Sequence, residues 1–316
     1  MPIQPTSYAV PRADLGEAFY EFDGSAEGFV AADVLPVIPV PRKAATLTVI
    51  QRENLKRALD SHANGAAFAR INLASEDLEY GCVDHGLEEQ LTDEDRKNYA
   101  LDFDAEQATV NNIIHHQMIE REIRTKDIVW STTTFAGAAL FKDNSGSPWS
   151  TAATSIISQI AVGKETARAN SGNQPDSLLI GAAGLANLLA NTELITRFPG
   201  AAVITEQMLR ANLAAVFGLK NLFVGGRVYD SADEGVAFSG SDIWSDTYAL
   251  LFKQATGDMK SYGLGRTVVW DMMAAGEVNV VQYREEQTKS DIFRGELFEV
   301  PKLFDAYAGH LMQIET

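Results

Sequence analysis

The sequence predicts an α+β protein, and three observations carry that prediction. A helical stretch runs without Gly or Pro from Asp102 to Trp130, a period-two pattern occupies residues 44–91, and short strands alternate with helices through the second half. The first two features also suggest a chain that does not complete its own surface.

Within the helical stretch, Asp104 followed by Gln107 has the form of a capping box, Glu106 sits in the first turn, and Arg124 and Lys126 sit near the last. About 25 helical residues measure about 37 Å, which makes a strut. On a helical wheel Val110, Ile113, Ile114, Met118 and Ile128 form one apolar stripe, while Ala108, Ile119 and Ile123 fall almost opposite. Two separate covers are therefore expected, the second an arm or loop of this chain or of a neighbour. Glu120 with Arg124 and Glu122 with Lys126 are i,i+4 pairs in the favourable order, which predicts that the remaining surface stays in water.

Ahead of the helix, six of the ten prolines (Pro2, Pro5, Pro11, Pro36, Pro39 and Pro41) fall in the first 41 residues and predict an extended arm without helix. Its apolar residues, among them Phe19, Tyr20, Phe22, Phe29, Val30, Val34, Leu35, Ile38 and Val40, need a seat on the chain's own body or on a neighbour. Composition does not choose between these. Trimming residues 1–41 is expected to leave a soluble body and to weaken assembly. Leu47 and Val49, then Phe68, Ile71 and Leu73, then Leu78, Tyr80 and Cys82 predict a ribbon of two or three strands turning at residues 60–65, too thin to bury a core.

After Trp130, a polar stretch leads to a second amphipathic helix marked by Ile156, Ile157, Ile160 and Val162, with a turn at residues 170–175. Strands are expected at 178–180, 222–224, 244–252 and 278–283, with helices at 182–190 and 205–217, the latter stopped by Gly218. The last segment, 297–312, is apolar enough to return to the core.

With 316 residues and 46% apolar content, a real core is affordable. The formal charge of -17, with 26 Lys and Arg against 43 Asp and Glu, opposes tight nucleic-acid binding. Cys82 is the only cysteine, which rules out an intrachain disulfide framework, fits a reducing cytosol, and reads as a small buried strand residue. The amino terminus lacks the basic-then-apolar order of a signal peptide, and the apolar run 178–190 is too short for a span, so a soluble, unexported protein is expected.

No catalytic constellation emerges. Gly163-Lys164-Glu165 and Gly263-Leu264-Gly265 lack the remaining residues of a phosphate or dinucleotide loop and read as turns. Gly225-Gly226-Arg227 follows a strand and could touch an anion, although a plain turn is the better reading. His116 and Glu120 have metal-ligand spacing, with His115 adjacent, but no third ligand is near. His62, His85 and His310 are scattered, with no GxSxG serine to pair with them. Asp93-Glu94-Asp95 and Glu285-Glu286 read as solvated faces. No catalytic, cofactor-binding or metal site is assigned.

Several strings resemble a known family when taken in order. They are residues 28–40 (GFVAADVLPVIPV), Tyr80-Gly81-Cys82 before the strut, and Trp149-Ser150 before the second helix. Residues 175–181 (PDSLLIG), 217–225 (FGLKNLFVG) and Ile243-Trp244 opening a strand follow. Together they resemble the major capsid proteins of tailed bacteriophages, whose Hong Kong 97-like fold is shared by encapsulin nanocompartments.

The resemblance implies an N-terminal arm (1–42), an extended loop (43–91), a peripheral domain (92–175) with spine helix 104–129, an axial domain (176–285), and a carboxyl-terminal return to the peripheral domain (286–316). It implies a structural subunit, not an enzyme, that assembles with itself into pentamers and hexamers of an icosahedral head. The implied partners are a separate scaffold, a portal and enclosed double-stranded DNA bound without sequence specificity, with no membrane. Assembly would take place in the host bacterial cytoplasm, and the protein would reside in the virion. Two alternatives are an encapsulin-like shell and an α+β enzyme with a pocket around Gly225-Gly226-Arg227. Lys56, the only lysine between Ala44 and Leu91, has no identifiable cross-linking partner and reads as a surface lysine.

Overall fold

Pro36 marks the first boundary. Its ring disfavours helix in the residue before it, so α1 (Ala31–Val34) lasts a single turn and gives way to β1 (Val37–Val40). The computed structural model describes residues 28–58, 60, 61, 68, 70–99, 104–197, 206–233, 235–258, 260–271 and 278–315. In chain order there follow β2 (Ala44–Ile50), β3 (Ser75–Gly81), β4 (Val83–Thr92), α2 (Asp93–Tyr99), α3 (Ala105–Val129), β5 (Phe141–Asp143) and α4 (Ile156–Ser171). Next come β6 (Ser177–Gly181), α5 (Ala182–Ala190), α6 (Thr192–Arg197), α7 (Glu206–Phe217), β7 (Asn221–Gly225), β8 (Val228–Asp230) and β9 (Gly240–Asp242). The chain closes with β10 (Tyr248–Phe252), β11 (Gly265–Trp270), β12 (Asn279–Glu285), β13 (Ser290–Leu303) and β14 (Gly309–Gln313).

The described residues fall into two compact units, one within His85–Met118 and Glu277–Leu297, the other within Glu27–Asp84, Ile119–Gly276 and Phe298–Thr316. The larger unit is built on a five-stranded sheet in the order β5-β14-β10-β6-β7, with β6 and β7 parallel across the α5–α7 crossover. Because successive side chains leave opposite faces, Leu178, Ile180, Leu251 and Met312 enter one core with Ile156, Ile160 and Phe217. Leu179, Leu250, Phe252 and Leu311 enter another with Val34, Leu35, Trp130 and Trp244. Gly163 lets α4 lie close on this sheet, since a Cβ there would stand 2.8 Å from Leu251.

In the same unit β1 pairs in parallel with β11, which pairs in turn with the end of β13. Pro39 is tolerated because β1 is an edge strand. The β2–β3 ribbon, in register from Ala44↔Gly81 to Ile50↔Ser75, is rooted here through Tyr80 and Cys82 against Ile38, Val40 and Val268. In the smaller unit β12 and the start of β13 form a hairpin from Asn279↔Glu296 to Glu285↔Ser290, and β4 also pairs with β13. Leu91, Ile113 and Phe293 form its core, and a Cβ at Gly295 would meet Ile113 at 2.4 Å.

Several expectations are corrected. Residues 31–34 are helical, because the turn ends before Pro36 takes effect. The arm from Val30 to Val40 seats on its own body, with Val34 and Leu35 fully buried, so trimming residues 1–41 would strip core residues and β1 rather than leave an intact body. No strand forms at Phe68, Ile71 and Leu73, because β2 takes β3 directly as its partner and leaves that stretch no sheet to lie on. Ile243 and Trp244 are buried in the connection before β10, whose pairing begins at Tyr248. Helix α4 continues through Ser171 and ends on left-handed Gly172, and Val162 points outward. Phe19, Tyr20, Phe22 and residues 62–65 of the expected turn lie outside the described residues.

Candidate functional site

Helix α3 organises the residues of interest. Asp104 caps it, accepting from the N–H groups of Glu106 and Gln107. Its buried positions are Ala105, Thr109, Ile113, Gln117, Glu122, Thr125 and Val129, so much of the inward face is polar. Of the stripe containing Ile113, Ile113 is buried in a core and Val110 packs against it, whereas Ile114, Met118 and Ile128 are only half-buried and join no core. Ile119 and Ile123 pack against the core that holds Val30, Val34, Leu35 and Phe135 of the same chain.

Two of the inward polar groups, the Gln117 amide N–H and the Glu122 carboxyl, are held by specific partners, as is Glu299 opposite them. The Gln117 amide donates to the carbonyls of His85 and Gly295. Glu299, fully buried, accepts from Arg121 at 2.8 Å and from Arg124 at 2.6 Å. Glu122 accepts from the backbone N–H of Val30, from that of Ala31 at 2.6 Å, and from the Trp244 indole N–H at 2.6 Å. Burial pushes the Glu122 carboxyl above the usual carboxylate range, and the three donors pull it back only in part. Asp33 nearby is also raised by burial.

These contacts overturn the reading of Glu122 as a solvated partner of Lys126, and they turn Arg124 towards Glu299. Lys126 pairs with Asp127 instead. The buried residues recur at steps of three to five along the helix, but a search for apolar stripes passes over Thr109, Gln117, Glu122 and Thr125. A search for small or uncharged positions at that period could have found the face, though not the role of Glu122.

The outward features are apolar. Within residues 50–73, Ile50, Leu55, Phe68, Ile71 and Leu73 are all exposed, Ile71 by 79%. Leu55 comes back to Gly172, and the Arg52 guanidinium stacks on Tyr307 at 3.2 Å from the ring centre. Val236 and Phe238, between β8 and β9, are exposed as well. Covering a large apolar side chain is worth about 1.5–3 kcal/mol, so these stretches are strong candidates for contact with another chain.

The chemical candidates are accounted for by packing. Gly225 lies against Trp244, where a Cβ would stand 2.2 Å from the indole, and Arg227 stacks on Phe29. Lys164 donates to the carbonyls of Phe217 and Gly218 and so closes α7. It lines a cleft of about 240 Å³ with Ile157, Ile160, Val216 and Phe217. Gly263 packs on Ala255 and Gly265 on Lys302. His116 and Glu120 gain no third ligand, and among the described residues no group of His, Cys, Asp and Glu could hold a metal. His310 is buried beside the Ala139 carbonyl, its pKa lowered by burial. Cys82 is buried with its thiol raised by burial and donating to Val268, and it lies between β3 and β4 rather than within either. Asp93 is bound to Arg284 rather than simply solvated. Lys56 is exposed and pairs with Glu53. No described helix is long and apolar enough to cross a membrane.

A chain with a helical strut, a rooted ribbon and an α+β body has the Hong Kong 97-like fold of phage capsid proteins. It is similar to a phage-related protein from Bordetella bronchiseptica, with a TM-score of 0.69 at 19% identity over 92% of this chain and 93% of that one. It is also similar to the capsid of cyanophage P-SCSP1u, with a TM-score of 0.63 at 12% identity over 94% and 90%. In sequence it resembles the major capsid protein of Burkholderia phage BcepMu, 25% identical over 301 residues and 90% of each chain. No family model matches the chain.

Proposed function

We propose that this chain is the structural subunit of an icosahedral phage head, assembling with itself into pentamers and hexamers around double-stranded DNA. The observation that carries the reading is the similarity to a phage major capsid protein over 90% of both chains, joined to the shared fold. The role is structural rather than enzymatic. The exposed apolar side chains Ile50, Leu55, Ile71, Leu73, Val236 and Phe238 support it, since contacts repeated around a ring would cover them.

In this reading residues 1–42 are the arm, 43–91 the extended loop, 92–175 with 286–316 the peripheral domain, and 176–285 the axial domain. A scaffold and a portal act with it during assembly in the host cytoplasm. The charge of -17 suits a wall that encloses DNA without gripping it. Expression alone and with a candidate scaffold protein, followed by negative-stain microscopy and analysis of particle contents, tests the reading. Closed particles able to take up DNA are expected. Particles that copurify with a cargo enzyme and never with a genome would favour the encapsulin-like alternative.

A further inference from the structure

We propose that Glu122 is a positioning residue that latches the start of the arm to the body and thereby sets where the chain before Val30 departs. This rests on the shell reading and goes beyond it by assigning the device to one side chain.

The argument is geometric. Glu122 is 1% exposed, on the half of α3 that belongs to the larger unit, and both its oxygens are engaged. Oε1 takes the N–H groups of Val30 and Ala31, and Oε2 takes the Trp244 indole N–H. Val30 and Ala31 open α1, where backbone N–H groups have no partner inside the turn. One side chain therefore supplies what the turn itself cannot. The turn's own bonds, from the N–H groups of Asp33 and Val34 to the Val30 carbonyl and from Leu35 to that of Ala31, then carry Val34 and Leu35 into the core.

The neighbouring cations are used elsewhere: Arg121 and Arg124 hold Glu299, and Lys126 holds Asp127. The three donors on Glu122 are all neutral. A buried carboxylate serves packing poorly, and a leucine would fill the space at lower cost in desolvation. Its distinctive ability here is to accept three bonds that converge from two separate segments, residues 30–31 and Trp244.

The test uses the full chain with Glu122→Gln, which keeps shape but points an amide N–H at a donor, and Trp244→Phe, which removes one donor and leaves the carboxylate. Hydrogen exchange is measured on the unassembled proteins. For E122Q the amides of Val30, Ala31 and Leu35 should exchange about tenfold faster or more, with those of Leu250 and Phe252 unchanged. W244F should show a smaller change at the same amides, and it carries the test if E122Q does not accumulate folded.

Under conditions where the wild type forms particles, E122Q should form few or misshapen ones. Unchanged exchange at residues 30–35, or a loss shared equally by β10, would overturn the latch, as would normal particles from a chain whose arm exchanges freely. If the wild type never assembles, the shell reading fails while the exchange result still decides the latch.

Discussion

Glu299 shows how the chain handles charge inside. Two arginines one helical turn apart, Arg121 and Arg124, converge on a carboxylate with no exposure, while each arginine side chain remains partly exposed. Glu299→Gln removes the negative partner and leaves two confined cations, so a loss of about 3 kcal/mol is expected in urea unfolding. Acid acts on other groups. Asp291 is held below its ordinary value of 3.8 by its hydrogen bond from Arg96, and Asp93 is held low in the same way by Arg284. A depressed carboxyl contributes stability that is present above the unfolded value and lost as pH falls through the folded one. Unfolding free energy should therefore drop below about pH 3.8, and Asp291→Asn should flatten that limb of the titration. Glu122, being raised, has the opposite sign, since the folded state takes up its proton first and gains stability as pH falls towards 4.5.

At the scale of elements, α3 shows what a sequence discloses and what it hides. Its existence, its cap at Asp104 and the inward turn of Val110 and Ile113 were legible, because capping and helical period are local properties. The same holds for β6, α5, α7 and the stop at Gly218. Its polar inward face was not legible, since the Gln117 amide N–H and the Glu122 carboxyl are engaged by His85, Gly295, Val30, Ala31 and Trp244, partners far away in sequence. The stretch 68–73 misled for the converse reason: an apolar alternation reads as strand whether or not a partner strand exists. In the proposed function its partner is a neighbouring subunit. The double substitution Ile71→Ser and Leu73→Ser should change monomer stability by less than about 0.5 kcal/mol, because both side chains already face water. It should nevertheless lower particle yield in the same preparation, as judged by sedimentation.

At the scale of the whole molecule, two kinds of burial coexist. The larger unit closes two cores around one sheet, whereas Ile50, Ile71, Leu73, Val236 and Phe238 stand exposed. Association is opposed by the charge of -17 carried by every copy, so contact between copies should strengthen as salt screens that repulsion. The most direct test of the central claim is sedimentation velocity of the full chain across protein concentration and salt, alone and with a candidate scaffold protein. Capsomer-sized species that give way to closed particles, favoured by higher salt, are the predicted result. A strictly monomeric boundary under every condition would contradict it.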